Sequence, residues 1–168
     1  MAFLKEVSNS MNKLLNIIKE QSFMYHSEFH GINHWNRVKT NGLEIARLNG
    51  ANRSIIQYFA VLHDCMRENE DDDPEHGARG AEFAKLHRDL IDLNDSDFGI
   101  LCIAVKDHTS GKPWSKEAKN PTVAACWDGD RLDLPRVGIE VDPYQLVSDE
   151  GKIILNQRRK YNEHILFG

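Results

Sequence analysis

AVLHDCMRENEDDDPEHG, residues Ala60 to Gly77, begins as an apolar helix and halts at an adjacent His63-Asp64 pair. An acidic run follows, and the segment closes on another histidine, His76. Upstream, IIQYFAVLHD carries apolar residues at helical spacing, with Ser54 placed to cap them. Downstream, Pro74 precedes a stretch from His76 to Ile91 rich in Ala, Leu and Arg, residues that favour helix. Both sides of the histidine-aspartate pair are therefore helical in period, and the pair itself sits where a helix ends.

The same rhythm extends outward. Leu4, Val7, Met11, Leu14 and Ile18 follow the three-and-four spacing of an amphipathic helix. A second helix fits Ile32 to Leu48, with Trp35, Val38, Gly42, Ile45 and Ala46 on one side and Asn49-Gly50 as its stop. Beyond the acidic run, Ser96 can cap FGILCIAVKDH; Thr109 to Pro121 is loop by composition, and VAACWDGDRLDL returns to helical spacing. Pro135, Gly138 and Pro143 break the following connector, after which Ser148 caps a last helix over about 149–166. Period-two alternation is almost absent, and no repeat, low-complexity tract or linker divides the chain. The expectation is an all-α fold, a single compact multi-helix bundle spanning 1–168.

Composition narrows the function classes. With 168 residues the chain can bury a substantial core, and 40% hydrophobic against 28% charged residues suits a globular protein. No apolar run reaches the roughly 18 residues of a membrane span, and MAFLKEVSNSMNKLL lacks the unbroken apolar region of a secretory signal. A cytoplasmic protein with no membrane partner is expected. Three widely spaced cysteines, Cys65, Cys102 and Cys126, with no CxxC, argue against a disulfide framework or a thiolate zinc site. A net charge of −5 and the lack of a basic block argue against a nucleic-acid polymer, and leave a small anionic substrate held by a local cluster.

One constellation can carry chemistry. In chain order come His34 in HGINHWNRV, His63-Asp64 in AVLHDCMR, His76 in DPEHGARGAEFA, His108 in AVKDHTSG and Asp130 in WDGDRLDL. The His-x-x-Arg-Val around His34, the apolar helix ending in His63-Asp64, the Arg67 beyond it and the closing Asp130-Arg131-Leu132 together resemble the HD-domain superfamily of metal-dependent phosphohydrolases. The resemblance runs from about Ser27 to Leu134. It implies that His34, His63, Asp64 and Asp130 ligate one divalent metal, and that His76 and His108 hold a second ion with Asp64 bridging the two. Neutral imidazoles and carboxylates suit Mn, Fe, Mg, Co, Ni or Zn. Asp107 beside His108 departs from the His-His pair of several family members, and so bears on the second ion.

Other residues are candidates by position. Arg37 lies one helical turn after His34, and Arg67 one turn after His63, so both can turn toward the same cleft and orient an anion or form surface ion pairs. Lys112, in the Gly-Lys-Pro turn after His108, can clamp phosphate as a mobile cation. Asp64 is expected to act in catalysis as well as in ligation. His30 reads as a residue near a helix start, with support of the ligands as the alternative, and Asp133 as a support for the centre or a cap. Helix geometry points Asp128 away from Asp130. Cys65 reads as a buried small residue. The acidic run reads as a solvated loop, or else as a lid or attractor for divalent ions.

The function expected from the resemblance is hydrolysis of a phosphomonoester, phosphodiester or nucleotide by metal-activated water. A di-iron, oxygen-dependent cleavage of a small polyol or phosphonate uses the same ligand types, and a non-catalytic binding module is a third possibility. The first and last helices either close the core or offer a homodimer face.

Overall fold

The computed structural model describes residues 9–167, so Leu4 and Val7 lie outside the described residues. The elements are α1 (Asn9–Gln21), α2 (Ile32–Asn49), α3 (Arg53–Leu62), α4 (His76–Leu86), α5 (Asp95–Asp107), α6 (Pro121–Arg131) and α7 (Asp149–Phe167). Short 3-10 turns occupy Arg88–Leu90, Glu117–Lys119, Leu134–Val137 and Pro143–Gln145, and the described residues contain no strand. The fold is all-α, as the apolar spacing predicts.

Local signals explain most boundaries. Gly50 ends α2 in the left-handed region, at φ 75, where its amide donates to the Ala46 carbonyl. Two helix starts differ from expectation. The Asn52 side chain accepts from the amides of Ser54 and Ile55, and the Asn94 side chain from that of Asp97, so asparagines cap α3 and α5 in place of Ser54 and Ser96. Each asparagine lies two residues before the serine and caps as well as serine does, so the helix starts earlier. The run from His76 also divides at Leu86, leaving a short turn up to Leu90. Ser148 does cap α7, its hydroxyl accepting from the Gly151 amide at 3.0 Å.

The core is one cluster drawn from every helix. Met11, Leu14 and Ile18 of α1, Trp35 and Val38 of α2, Phe59 and Leu62 of α3, Trp127 of α6 and Ile154 of α7 all belong to it. Thus both the first and last helices contribute to closing it. No helix among the described residues is long and apolar enough to cross a membrane.

Two close crossings place the site. A Cβ on Gly129 would stand 3.0 Å from the Val38 carbonyl and 3.0 Å from the Gly42 amide, so α6 can lie against α2 only because position 129 has no side chain. Asn41 fastens the crossing by donating to the Gly129 carbonyl at 2.9 Å. His34 and Asp130 sit on the two helices so joined. At the second crossing, a Cβ on Gly80 would meet the Leu62 carbonyl at 2.6 Å, and one on Gly77 the Lys106 carbonyl at 2.6 Å. Those approaches seat the start of α4, with His76, against the ends of α3 and α5, which carry His63 and His108.

Candidate metal centre

His63 and His108 both occupy the C-terminal cap position of a helix, α3 and α5 respectively. Each turns its ring back on its own helix: Nδ1 of His63 lies 3.0 Å from the Ala60 carbonyl, and Nδ1 of His108 lies 2.8 Å from that of Val105. Nδ1 of His76 meets the carbonyl of Asp73 in the same three-residue pattern. His34 uses a carboxylate instead, its Nδ1 lying 2.7 Å from Asp133 Oδ2. A carbonyl or an ionised carboxylate can only accept, and the Asp133 carboxyl is held below its usual range, so each of these Nδ1 atoms carries the hydrogen, and a neutral ring then presents a bare lone pair at Nε2.

Those lone pairs converge. His34 Nε2 and His63 Nε2 are 3.1 Å apart, and His76 Nε2 and His108 Nε2 are 2.8 Å apart. Two acceptor lone pairs so close repel unless a proton or a cation lies between them. Histidines that bind metal commonly donate their other N–H to a carbonyl or carboxylate, as all four do here. The donor set therefore fits a divalent cation.

Asp64 joins the two pairs through separate oxygens. Its Oδ2 lies 3.6 Å from His34 Nε2 and 3.5 Å from His63 Nε2, while Oδ1 lies 3.1 Å from His76 Nε2 and 3.6 Å from His108 Nε2. Asp130 Oδ1 completes the first group, 3.2 Å from His34 Nε2 and 3.9 Å from His63 Nε2. Two clusters able to hold a metal ion result: His34, His63 and Asp130, and Asp64, His76 and His108. All six candidate ligands converge, and His108 rather than Asp107 faces Asp64. Asp130 is the one that is only partly buried, and it opens onto the cleft.

The electrostatics follow from burial working against charge pairing. Burial pushes His63 down to about 3, with Asp64 and Asp130 opposing it only in part. Burial also works against charge on His34, but Asp130 and Asp133 outweigh it and hold that ring above its usual value. His108 is likewise raised, Asp64 prevailing over burial. Asp64 and Asp130 would be raised by burial alone, yet the surrounding histidines hold both well below the usual carboxylate range. The centre therefore keeps its carboxylates ionised at neutral pH.

The neighbours divide into supports and cleft residues. Arg37 is not among the residues lining the cleft; its Nε donates to Asp133 at 2.8 and 3.0 Å, so it reaches the centre through the carboxylate that holds His34. Asp133 thus supports a ligand. Arg67 lines the cleft with one nitrogen 4.0 Å from Asp64, while donating to the carbonyls of Asn69 and Asp71 at 3.3 and 2.5 Å. His30 is closer to the chemistry than its sequence position suggests, its Nδ1 3.2 Å from Asp64 Oδ2. Asp128 points away, accepting from the amides of Val147 and Ser148 at 2.7 and 2.8 Å. Burial raises the Cys65 thiol, which suits an inert core residue.

The cleft over the centre has a volume of about 500 Å³. The acidic segment supplies Glu70 and Asp71 to its rim, and is tied down where Arg79 donates to Asp73 at 2.5 Å and to the Met66 carbonyl at 3.1 Å. Leu134, Val137 and Ile139 form an apolar wall, and Lys112, Arg131 and Arg136 add positive charge. Arg136 carried no signal in the sequence, lying in a connector with no periodicity. Comparison of the chain with protein-family models, with curated proteins and with solved structures gives no match.

Proposed function

We propose that the protein is a metal-dependent phosphohydrolase acting on a small phosphate ester or nucleotide, as the HD-domain resemblance implies. The observation that carries this reading is Asp64, whose Oδ1 faces His76 and His108 while its Oδ2 faces His34 and His63. Asp64 would thereby offer a ligand oxygen to a cation in either group, of the imidazole-and-carboxylate preference shared by Mn, Fe, Mg, Co, Ni and Zn. Divalent ions held there would polarise a phosphoryl oxygen and bring the pKa of a water toward neutrality.

The chain's own part is to hold and to orient. The Nδ1 contacts lock four rings, so ligand geometry is set before any substrate arrives. The cleft of about 500 Å³ suits a nucleotide-sized molecule, and its wall of Leu134, Val137 and Ile139 can seat an organic group. Arg67 brings positive charge beside Asp64 and lines the cleft that would receive an anion.

The test is hydrolysis of p-nitrophenyl phosphate, bis(p-nitrophenyl) phosphate and nucleotides by protein loaded with each metal in turn, with and without oxygen. Asp130→Ala should lose the ion of the His34 and His63 group, and turnover with it, while keeping its helical circular dichroism; unchanged turnover would overturn the assignment. The alternative, a di-iron oxygenase of a small polyol or phosphonate, would draw on the same four-imidazole, two-carboxylate set. Turnover that requires iron and consumes oxygen would select that second reading.

A further inference from the structure

Four cationic side chains line the cleft, Arg67, Lys112, Arg131 and Arg136, and three of them are already committed to main-chain carbonyls. Arg67 holds Asn69 and Asp71, Arg131 holds Gly111 and Gln145, and Arg136 holds Phe29 and Asp133. For any of these to turn toward a substrate, a carbonyl would have to give up its donor, which costs free energy where water cannot replace it. Lys112 differs: it is exposed, and no carbonyl or carboxylate among the described residues is paired with it.

Resting on the phosphohydrolase reading, we propose that Lys112 receives the anionic group of the substrate and that Arg131 positions it. The turn bearing Lys112 is fixed on both sides. The Gly111 amide donates to the Asp107 carbonyl at 2.6 Å, and the Lys112 carbonyl accepts from the Ser115 amide at 3.0 Å. A Cβ on Gly111 would lie 2.5 Å from Cζ3 of Trp127, so this turn rests directly on the indole. Trp127 is itself held, Nε1 donating to the Ala104 carbonyl at 3.0 Å.

Arg131 closes the arrangement. One terminal nitrogen donates to the Gly111 carbonyl at 2.5 Å and the other to the Gln145 carbonyl at 2.8 Å, with the guanidinium 5.7 Å from the Trp127 ring centroid. Its planar fork spans two loops at once, which a single ammonium could not do. Because Arg131 directly follows Asp130, the turn is registered to the helix end that carries a candidate ligand. The result is a preset main chain with a free, rotatable ammonium at the cleft rim. Such a point charge can follow a phosphate group as it enters and leaves.

The probe is inorganic phosphate, titrated calorimetrically into the full chain loaded with Mn. Lys112→Ala should weaken binding by about tenfold or more, the scale of one hydrogen bond between charged groups, and Lys112→Arg should restore part of it. Arg131→Ala should weaken binding in the wild-type background and add nothing in the Lys112→Ala background. Arg131→Lys, read in the same cycle, keeps the charge but loses the two-carbonyl fork, and answers the question if Arg131→Ala unfolds. Equal affinity in Lys112→Ala and wild type would overturn the role of Lys112 while leaving the phosphohydrolase reading in place. An equal loss from the Arg131 variants in both backgrounds would overturn positioning. Absence of phosphate binding by the wild-type protein would remove the underlying reading and this inference with it.

Discussion

His34 and Asp133, 99 residues apart in sequence, meet through an Nδ1 to Oδ2 distance of 2.7 Å, with His34 fully buried and Arg37 gripping the far side of the carboxylate. Asp133 therefore decides which His34 nitrogen carries the hydrogen, and keeps Nε2 turned toward His63 and Asp130. Asp133→Ala should lower metal affinity by about 10- to 100-fold, the usual scale for a group that orients a ligating histidine. Arg37→Ala should act in the same direction and less strongly, since Arg37 reaches the ring only through Asp133. Competition titration against a chromophoric chelator measures both; an unchanged affinity in Asp133→Ala would exclude the support role.

The two halves of the centre should separate by stoichiometry. Asp130→Ala touches only the His34 and His63 group, and His76→Ala only the group with His108, so if both groups are loaded each variant should lose about one ion of the two. Asp64→Ala should strip both, because each histidine pair faces one of its oxygens. Elemental analysis of protein purified without chelator or nickel affinity resin gives the counts. Retention of both ions by Asp64→Ala would rule out a shared carboxylate.

Metal loading should depend on pH with a defined sign. In the metal-free protein His34 and His108 are raised above 6.5 by their carboxylate neighbours against burial, so their protons stabilise the fold fully below that value. That contribution disappears as pH rises through their raised folded values. A metal needs the neutral rings and must displace those protons, whereas His63, pushed down to about 3, has none to lose. The rise in Tm on adding metal should thus be small near about pH 6 and larger near about pH 8, by calorimetry. A constant difference across that range would contradict the arrangement.

The helix crossings should tolerate no side chain. Gly129→Ala would place a Cβ 3.0 Å from both the Val38 carbonyl and the Gly42 amide, neither of which can move as a side chain could. A loss of about 1–3 kcal/mol in denaturant unfolding is expected, the range for overpacking. Because the same crossing sets His34 against Asp130, metal affinity should fall too. Gly99→Ala, where a Cβ meets nothing within 4 Å, serves as the control.

Most of the helices were legible because apolar residues recur at the helical period, and Gly50 shows its stop in the sequence itself. The start sites of α3 and α5 were harder, since Asn52 and Ser54, like Asn94 and Ser96, offer two capping oxygens two residues apart and only the fold chooses. The six candidate ligands could be picked out because a histidine-aspartate pair at a helix end is chemically distinctive and the others follow in a recognisable order. Asp133 and His30 could be read as supports, but which partner each holds was hidden: no spacing rule links His34 to Asp133, His30 to Asp64, or Arg131 to Gly111 and Gln145. Those pairs depend on where helices cross, and the crossings depend on glycines such as Gly129 whose value lies in atoms they lack.

The shared carboxylate has a further consequence. Two ions that leaned on one Asp64 would not bind independently: the first would draw on its negative charge, and the second would meet both a depleted ligand and a neighbouring positive charge. The second equilibrium would thus be weaker than the first, a negative cooperativity carried by a single side chain and necessarily reciprocal. Metal uptake would then follow two separated steps, and over a range of metal concentration the protein would hold a single ion.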